Sequence, residues 1–356
     1  MKALVKHSAK VGIWMEDVPE PECGTNEVKI KITHTGICGS DLHIYKWDKW
    51  AQRTLELPLV IGHEFCGIIE EIGPEVKHYK VGDRVSGEGH ITCGSCRNCR
   101  AGKRHLCHKT FGIGIQTAGC FAEFLVLPES NVWSIDEEVS SKIAAFFDPF
   151  GNAVHTALSY DILGEDVLIT GAGPIGIMCA SICEFVGARN VVITDINEYR
   201  LDLAKKLGAT KTINVSKEKI EDCFQELDII NGFDIGLEVS GNPLAFKSLL
   251  SHMYNGGSVA LLGLLPDSTQ INWDDIIFKG LNIKGIYGRE MYETWYKMDQ
   301  LLKSGLDISK LLTHELPSDE YEKAFEIMES GQCGNCLLYT SPSPRDLSTS
   351  RMPSSA

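Results

Sequence analysis

Asp166-Val-Leu-Ile-Thr-Gly-Ala-Gly-Pro-Ile-Gly176 is the stretch on which the fold turns. Its first five residues, Asp166–Thr170, read as a short apolar strand. Gly171, Gly173 and Gly176 follow at G-x-G-x-x-G spacing. A helical pattern then runs to about Val186, where Gly187 is placed to end it. The spacing alone is a weak signal, because glycine-rich turns are common. Set between a strand and a helix, it predicts a dinucleotide site. The glycines permit a tight turn and a close backbone approach to the pyrophosphate, and the helix N-terminus supplies free N–H groups. The next strand, 191–194, leads to Asp195. A carboxylate there bonds the adenosine ribose and repels a 2′-phosphate, which favours NAD over NADP. Arg200, five residues on, weakens that discrimination somewhat.

The same rhythm continues outward. A helix is expected over about 198–207, and strands over 235–239, 258–262 and 281–285. Strands alternating with helices predict βαβ units on a doubly wound parallel sheet, a Rossmann domain over 151–293. Residues 1–150 are different. Runs such as 27–33 and 67–72 alternate or are strongly apolar between Gly and Pro punctuation, so this part is expected to be β-rich. From about Glu293 to Ser330 the pattern reads as helix and loop. The chain of 356 residues suits two domains, since single cores stop growing near about 250–300 residues. Residues 340–356 are rich in Ser and Pro and nearly free of apolar side chains, which predicts disorder and a tail that is not native to the fold. The apolar strand expected before it is interrupted by Cys333-Gly-Asn-Cys336, a pair that reads as accidental.

Net charge is −14, which argues against a nucleic-acid partner, because a phosphate backbone wants clustered Lys and Arg. The one dense basic run, 97–104, sits among four cysteines. No segment has the apolar core of a signal peptide or the length of a membrane span, so a cytoplasmic protein is expected. In that compartment 13 cysteines do not form a disulfide framework, and metal ligation is the first alternative.

Cys93, Cys96, Cys99 and Cys107 can wrap one tetrahedral ion from a single loop. Four thiolates and no open position suit a structural zinc; an iron–sulfur cluster is the alternative, at a spacing unlike common ferredoxin runs. Cys38 and the adjacent pair His63 and Glu64 offer a thiolate, an imidazole and a carboxylate. Such a set can hold a second zinc with one exchangeable position, where the ion acts as a Lewis acid on a substrate hydroxyl. Ser40 and His43 make a plausible relay for the proton that must leave. Asp148 is a candidate fourth ligand, a neighbour of the ligands, or part of the proton path. His90 is a candidate pocket residue.

Together these residues resemble the zinc-containing medium-chain dehydrogenases. The resemblance runs from Met1 to about Gly334. It is densest at His43-Ile-Tyr-Lys-Trp-Asp48, Ser86-Gly-Glu-Gly-His-Ile-Thr-Cys93, Asp148-Pro-Phe-Gly-Asn-Ala-Val-His155, Asn190-Val-Val-Ile-Thr-Asp195 and Ile283-Lys-Gly-Ile-Tyr-Gly-Arg-Glu290. It implies a GroES-like, β-rich catalytic domain over 1–150, with 294–338 returning to it. It implies a catalytic zinc on Cys38, His63 and Glu64, a structural zinc on the four cysteines, and a relay through Ser40 and His43 with Asp148 assisting. Position 40 is more often Thr in the group, and Ser keeps the hydroxyl. NAD contacts are implied at Ile175, Asp195, Arg200, the turn Leu262, Gly263 and Leu264, and Ile286 and Tyr287. The implied activity is NAD-linked oxidation of L-threonine, in its breakdown to glycine, by a cytoplasmic homotetramer. Two rivals stand beside it: a polyol or butanediol dehydrogenase of the same fold, and a catalytically silent NAD-binding protein.

Overall fold

Two large β-sheets, of six and seven strands, carry the molecule, with smaller sheets of three and two strands beside them. The computed structural model describes residues 1–340; the rest of the stretch expected to be disordered, 341–356, lies outside the described residues. One sheet has six parallel strands in the spatial order Lys211–Asn214, Asn190–Asp195, Asp166–Thr170, Phe233–Glu238, Met253–Leu261, Asn282–Gly285. The sequence order reverses between Asp166–Thr170 and Phe233–Glu238, and ligands of doubly wound sheets bind at such a point, beyond the carboxyl ends of the strands. The expected α/β architecture is therefore present.

Local chemistry explains the elements. Asp166–Thr170 is buried at every residue, as a central parallel strand requires. The helix Pro174–Phe185 starts with Gly173 as its N-cap and Pro174 in the first turn, where a missing N–H costs nothing. Gly187, at φ +97°, turns the chain away after it. Asn197 caps the helix Glu198–Lys206 by accepting the Arg200 N–H. Lys211–Asn214 was not legible beforehand: it is a short edge strand with one apolar residue, Ile213.

The second sheet is mixed and has seven strands. Its main path is Val132–Ser134, Arg84–Gly87, Glu64–Ile72, Glu27–Gly36, Asn335–Tyr339, Leu312–Pro317, and Phe124–Pro128 also pairs with Glu27–Gly36. Two expectations need correction here. Leu312–Pro317 lies inside the stretch read as helix and loop; its apolar residues are few, and its partner strand holds it. The apolar strand before the tail is not lost either. Asn335–Tyr339 runs antiparallel to Glu27–Gly36 and parallel to Leu312–Pro317, burying Cys336, Leu337 and Leu338. Cys333 and Cys336 fill this core as small apolar side chains. At the seam between the sheets, the helix Phe147–Ala157 is buried over most of its length.

Candidate active site

Cys38 is the N-cap of the helix Gly39–Lys46, and its N–H donates to Asp41 Oδ2 at 2.9 Å. His63 and Glu64 stand at the start of Glu64–Ile72, one strand away. This topology gathers residues 25 positions apart: the ligand atoms of Cys38, His63 and Glu64 lie within 4.8 Å of one another. Gly36 pairs with Glu64 in the ladder, and a Cβ on Gly36 would stand 2.2 Å from Glu64 Oε2. Glycine there is what leaves room for the carboxylate. Thr35 Oγ1 donates to the Glu64 carbonyl at 2.6 Å and fixes the backbone behind it.

The electrostatics of this cluster ask for a cation. Burial pushes the Cys38 thiol up to about 11, and burial, with Cys38 beside it, raises the Glu64 carboxyl well above the usual range. Burial alone would lower His63, but Asp41, Asp148 and Glu64 outweigh it and raise its pKa. Among the described residues, His63 Nδ1 and Glu64 Oε2 are buried with no hydrogen-bond partner. Buried polar atoms are rarely left so. A thiol, an imidazole and a carboxylate converging with unpartnered lone pairs fit zinc.

Ser40 Oγ lies 3.4 Å from His63 Nε2. His43 is more than half exposed, and its Nδ1 is 2.5 Å from Asp48 Oδ2. Ser40 and His43 lie three residues apart on one helix, Ser40 partly buried and His43 exposed. No direct hydrogen bond joins them among the described residues.

Asp148 lies in the first turn of the helix Phe147–Ala157 and is not one of the three donors gathered within 4.8 Å. Its Oδ1 is 2.8 Å from Arg289 Nη2. Arg289 is buried. It donates from Nε to Glu88 Oε2 at 2.9 Å, from Nη2 to Glu88 Oε1 at 2.5 Å, and from Nη1 to the Asp148 carbonyl at 3.0 Å. Glu88 also accepts from Trp295 Nε1 at 3.0 Å. Burial opposes ionisation of Glu88, yet Arg289 and His90 hold its carboxyl far below the usual range. His90 Nδ1 lies 2.8 Å from Glu88 Oε1, with its ring 6.0 Å from that of Tyr287. Asp41, Glu88 and Arg289 were not singled out from sequence. Glu88 and Arg289 are 201 residues apart, and no local spacing marks such a pair.

Cys93, Cys96, Cys99 and Cys107 converge in a separate lobe, all four sulfurs within 4.8 Å of one another. The Cys107–Cys93 and Cys96–Cys107 separations are 3.5 and 4.0 Å. Four thiolates about a zinc at roughly 2.3 Å would lie close to these distances. Amide N–H groups of Ser95 and Cys96 lower the Cys93 thiol to about 6, whereas burial raises Cys99 to about 11.

A cleft of about 1230 Å³ opens at the carboxyl end of the parallel sheet. Gly171, Asp195, Arg200, Ser240 and Gln332 are among the residues that line it. Gly171 has φ +98°, and a Cβ on Gly176 would stand 1.9 Å from the Gly171 carbonyl oxygen. A Cβ on Gly173 would meet nothing within 4 Å, so the chain there faces open space. Asp195 accepts the Ala172 N–H through Oδ2 at 2.7 Å, and the Ile196 and Asn197 N–H groups through Oδ1. It therefore braces the glycine turn as well as facing the cleft. Ile175 lies in the first turn of the helix that follows. Leu262, Gly263 and Leu264 follow Met253–Leu261, while buried Ile286 and half-exposed Tyr287 follow Asn282–Gly285.

A dinucleotide sheet joined to a β-rich lobe with two zinc-type donor sets defines the class of a zinc-binding alcohol dehydrogenase. Comparison with known proteins agrees. Residues 24–137 match the alcohol dehydrogenase GroES-like domain, and residues 174–304 match the zinc-binding dehydrogenase domain. Proteins named L-threonine 3-dehydrogenase from Marinomonas sp. (strain MWYL1) and Proteus mirabilis (strain HI4320) are each 61% identical over 338 residues, covering 95% of this chain and 99% of theirs. Among solved structures, an alcohol dehydrogenase from E. coli CFT073 complexed with NADH is 28% identical with a TM-score of 0.87, covering 95% of this chain and 99% of its own. The 2R,3R-butanediol dehydrogenase of Bacillus subtilis is 25% identical with a TM-score of 0.85, covering 96% and 99%. The chain belongs to the zinc-binding alcohol dehydrogenase family and, within it, to the L-threonine 3-dehydrogenases.

Proposed function

We propose that this protein oxidises L-threonine to L-2-amino-3-oxobutanoate, passing the hydride from Cβ to NAD and the hydroxyl proton to solvent. The observation that carries the reading is the partly buried Cys38, His63 and Glu64 cluster in a chain 61% identical, over nearly its whole length, to proteins of that name. Cys38, His63 and Glu64 would hold the catalytic zinc, which supplies Lewis acidity to the substrate hydroxyl. Cys93, Cys96, Cys99 and Cys107 would hold a second, structural zinc, giving two per chain.

The chain's own groups then divide the work. Ser40 Oγ, beside His63, takes the hydroxyl proton, and the exposed His43 on the same helix passes it on to water. Asp148 adds negative charge beside the cluster, held in place by Arg289. Asp195 receives the adenosine ribose hydroxyls, and Arg200 closes the same end of the cleft. Gly171, Gly173, Gly176 and Ile175 present the pyrophosphate-binding turn. The Leu262–Gly263–Leu264 turn and Ile286 with Tyr287 flank the nicotinamide half, and His90, against Tyr287, borders the substrate. The catalytic domain comprises residues 1–150 with 294–338, and the NAD domain 151–293.

Self-association into a homotetramer fits the surface. Asn282–Gly285 is the edge strand of the parallel sheet among the described residues, and Trp273, Ile277 and Phe278 stand exposed shortly before it. No helix among the described residues is long and apolar enough to cross a membrane, and a cytoplasmic protein is proposed. The test is a panel of L-threonine, sorbitol and 2,3-butanediol with NAD. Turnover confined to L-threonine supports the assignment. Preference for sorbitol or butanediol replaces the substrate, and no turnover on any alcohol by zinc-loaded protein favours the silent NAD-binding rival.

A further inference from the structure

Glu238 ends the strand Phe233–Glu238 and is fully buried. Buried carboxylates are ordinarily paired with a cation. None pairs with this one among the described residues. Its partners are backbone turns instead. Oε1 accepts the N–H groups of Ser240 and Gly241, each at 3.0 Å, and the Ser240 hydroxyl. The Glu238 carbonyl accepts the N–H groups of Leu262 at 3.0 Å and Gly263 at 3.1 Å. Its Oε2 is buried without a partner and packs directly on Gly263, where a Cβ would stand 2.3 Å away.

These turns lock against each other and against the glycine turn. A Cβ on Gly241 would meet the Leu264 carbonyl oxygen at 2.9 Å, and one on Gly171 would meet Ser240 at 2.9 Å. One residue thus ties together the loops that follow two neighbouring strands, its carboxylate bonding the Ser240–Gly241 turn and packing on Gly263 while its carbonyl bonds Leu262 and Gly263, next to the point where strand order reverses. We propose that Glu238 is a positioning residue for the dinucleotide: it sets the Ser240–Gly241 and Leu262–Gly263–Leu264 turns at the spacing the cofactor needs. This rests on the reading of the cleft as an NAD site. A carboxylate suits the task because it only accepts, and every group around it donates or is apolar. An amide at the same place brings an N–H₂ group against either the Ser240 and Gly241 N–H groups or Gly263.

The experiment titrates NAD and NADH into full-length, zinc-loaded protein, following tryptophan fluorescence. Glu238→Gln is expected to weaken both by about tenfold, the worth of one charge-assisted hydrogen bond. Glu238→Asp, which keeps the charge, is expected to fall between it and the wild type. At saturating NAD, kcat and the KM for L-threonine are expected to stay within about threefold, because the metal cluster is untouched. Gly263→Ala is expected to weaken NAD at least as much, because its methyl would stand 2.3 Å from both Glu238 Oε2 and the Gly241 backbone nitrogen. Binding within twofold of wild type for both Glu238→Gln and Gly263→Ala overturns the assignment while leaving the NAD reading intact. Failure of the wild type itself to bind NAD overturns both.

Discussion

Replacing Arg289 by methionine tests how the site is braced. In the wild type one buried guanidinium faces two carboxylates, Glu88 and Asp148, and also donates to the Asp148 carbonyl and to Asn152 Oδ1. Methionine keeps much of the volume and removes every donor, leaving Glu88 enclosed with only His90 and Trp295 near its oxygens. Breaking a buried pair from one side costs about 3–5 kcal/mol, because the abandoned charge keeps its desolvation penalty. That is a large share of a typical total stability of about 5–15 kcal/mol. The assay is urea unfolding of zinc-loaded protein, followed by tryptophan fluorescence at several pH values. The sign with pH is definite. The folded Glu88 pKa lies below its unfolded value of about 4.3, so its contribution is complete above that value and fades as pH falls through the folded one. In Arg289→Met, burial without the cation puts the folded pKa above the unfolded one. That variant gains stability as pH falls, and the gap to wild type narrows from pH 8 to pH 5. Adding Glu88→Gln and Asp148→Asn to Arg289→Met should recover most of the loss. A loss under about 1 kcal/mol, or a gap that widens toward acid, would refute this account of the network.

Cys38→Ser should abolish turnover and halve the zinc content, with NAD binding kept, as read by metal analysis and cofactor titration; near-normal turnover removes Cys38 from the metal site. Gly36→Ala, which forces a methyl to 2.2 Å from Glu64 Oε2, should lower kcat by at least about tenfold, with little change in the KM for NAD, in steady-state kinetics. Asp195→Ala should weaken NAD by on the order of tenfold and narrow the preference over NADP, as measured by the ratio of the two KM values. Cys96→Ser should release the second zinc and lower the melting temperature while leaving the Cys38 cluster loaded, seen by metal analysis and calorimetry.

Much of the cofactor half was legible because its signals are local. Gly171, Gly173 and Gly176 do their work within one turn, and Asp195 follows at the end of the next strand. The four cysteines were legible for the same reason, since one loop brings them together. Cys38, His63 and Glu64 needed the fold, because Gly39–Lys46 and Glu64–Ile72 meet only through tertiary pairing. Arg289 and Glu88 stayed hidden. A charged residue reads as surface in a sequence, and only burial beside a distant partner shows otherwise. Leu312–Pro317 was misread because its apolar content is ordinary for a loop, and Asn335–Tyr339 because Cys333 and Cys336 read as an interruption; their neighbours in the sheet decide the state of both.

The central claim is that a metal held by Cys38, His63 and Glu64 activates the threonine hydroxyl for hydride transfer to NAD. L-threonine carrying deuterium at Cβ, incubated with NAD and zinc-loaded protein, tests it most directly. The account predicts that the deuterium appears in the NADH formed, that a zinc chelator stops its transfer, and that added zinc restores it. Unlabelled NADH, or transfer that continues once the zinc is gone, would contradict it.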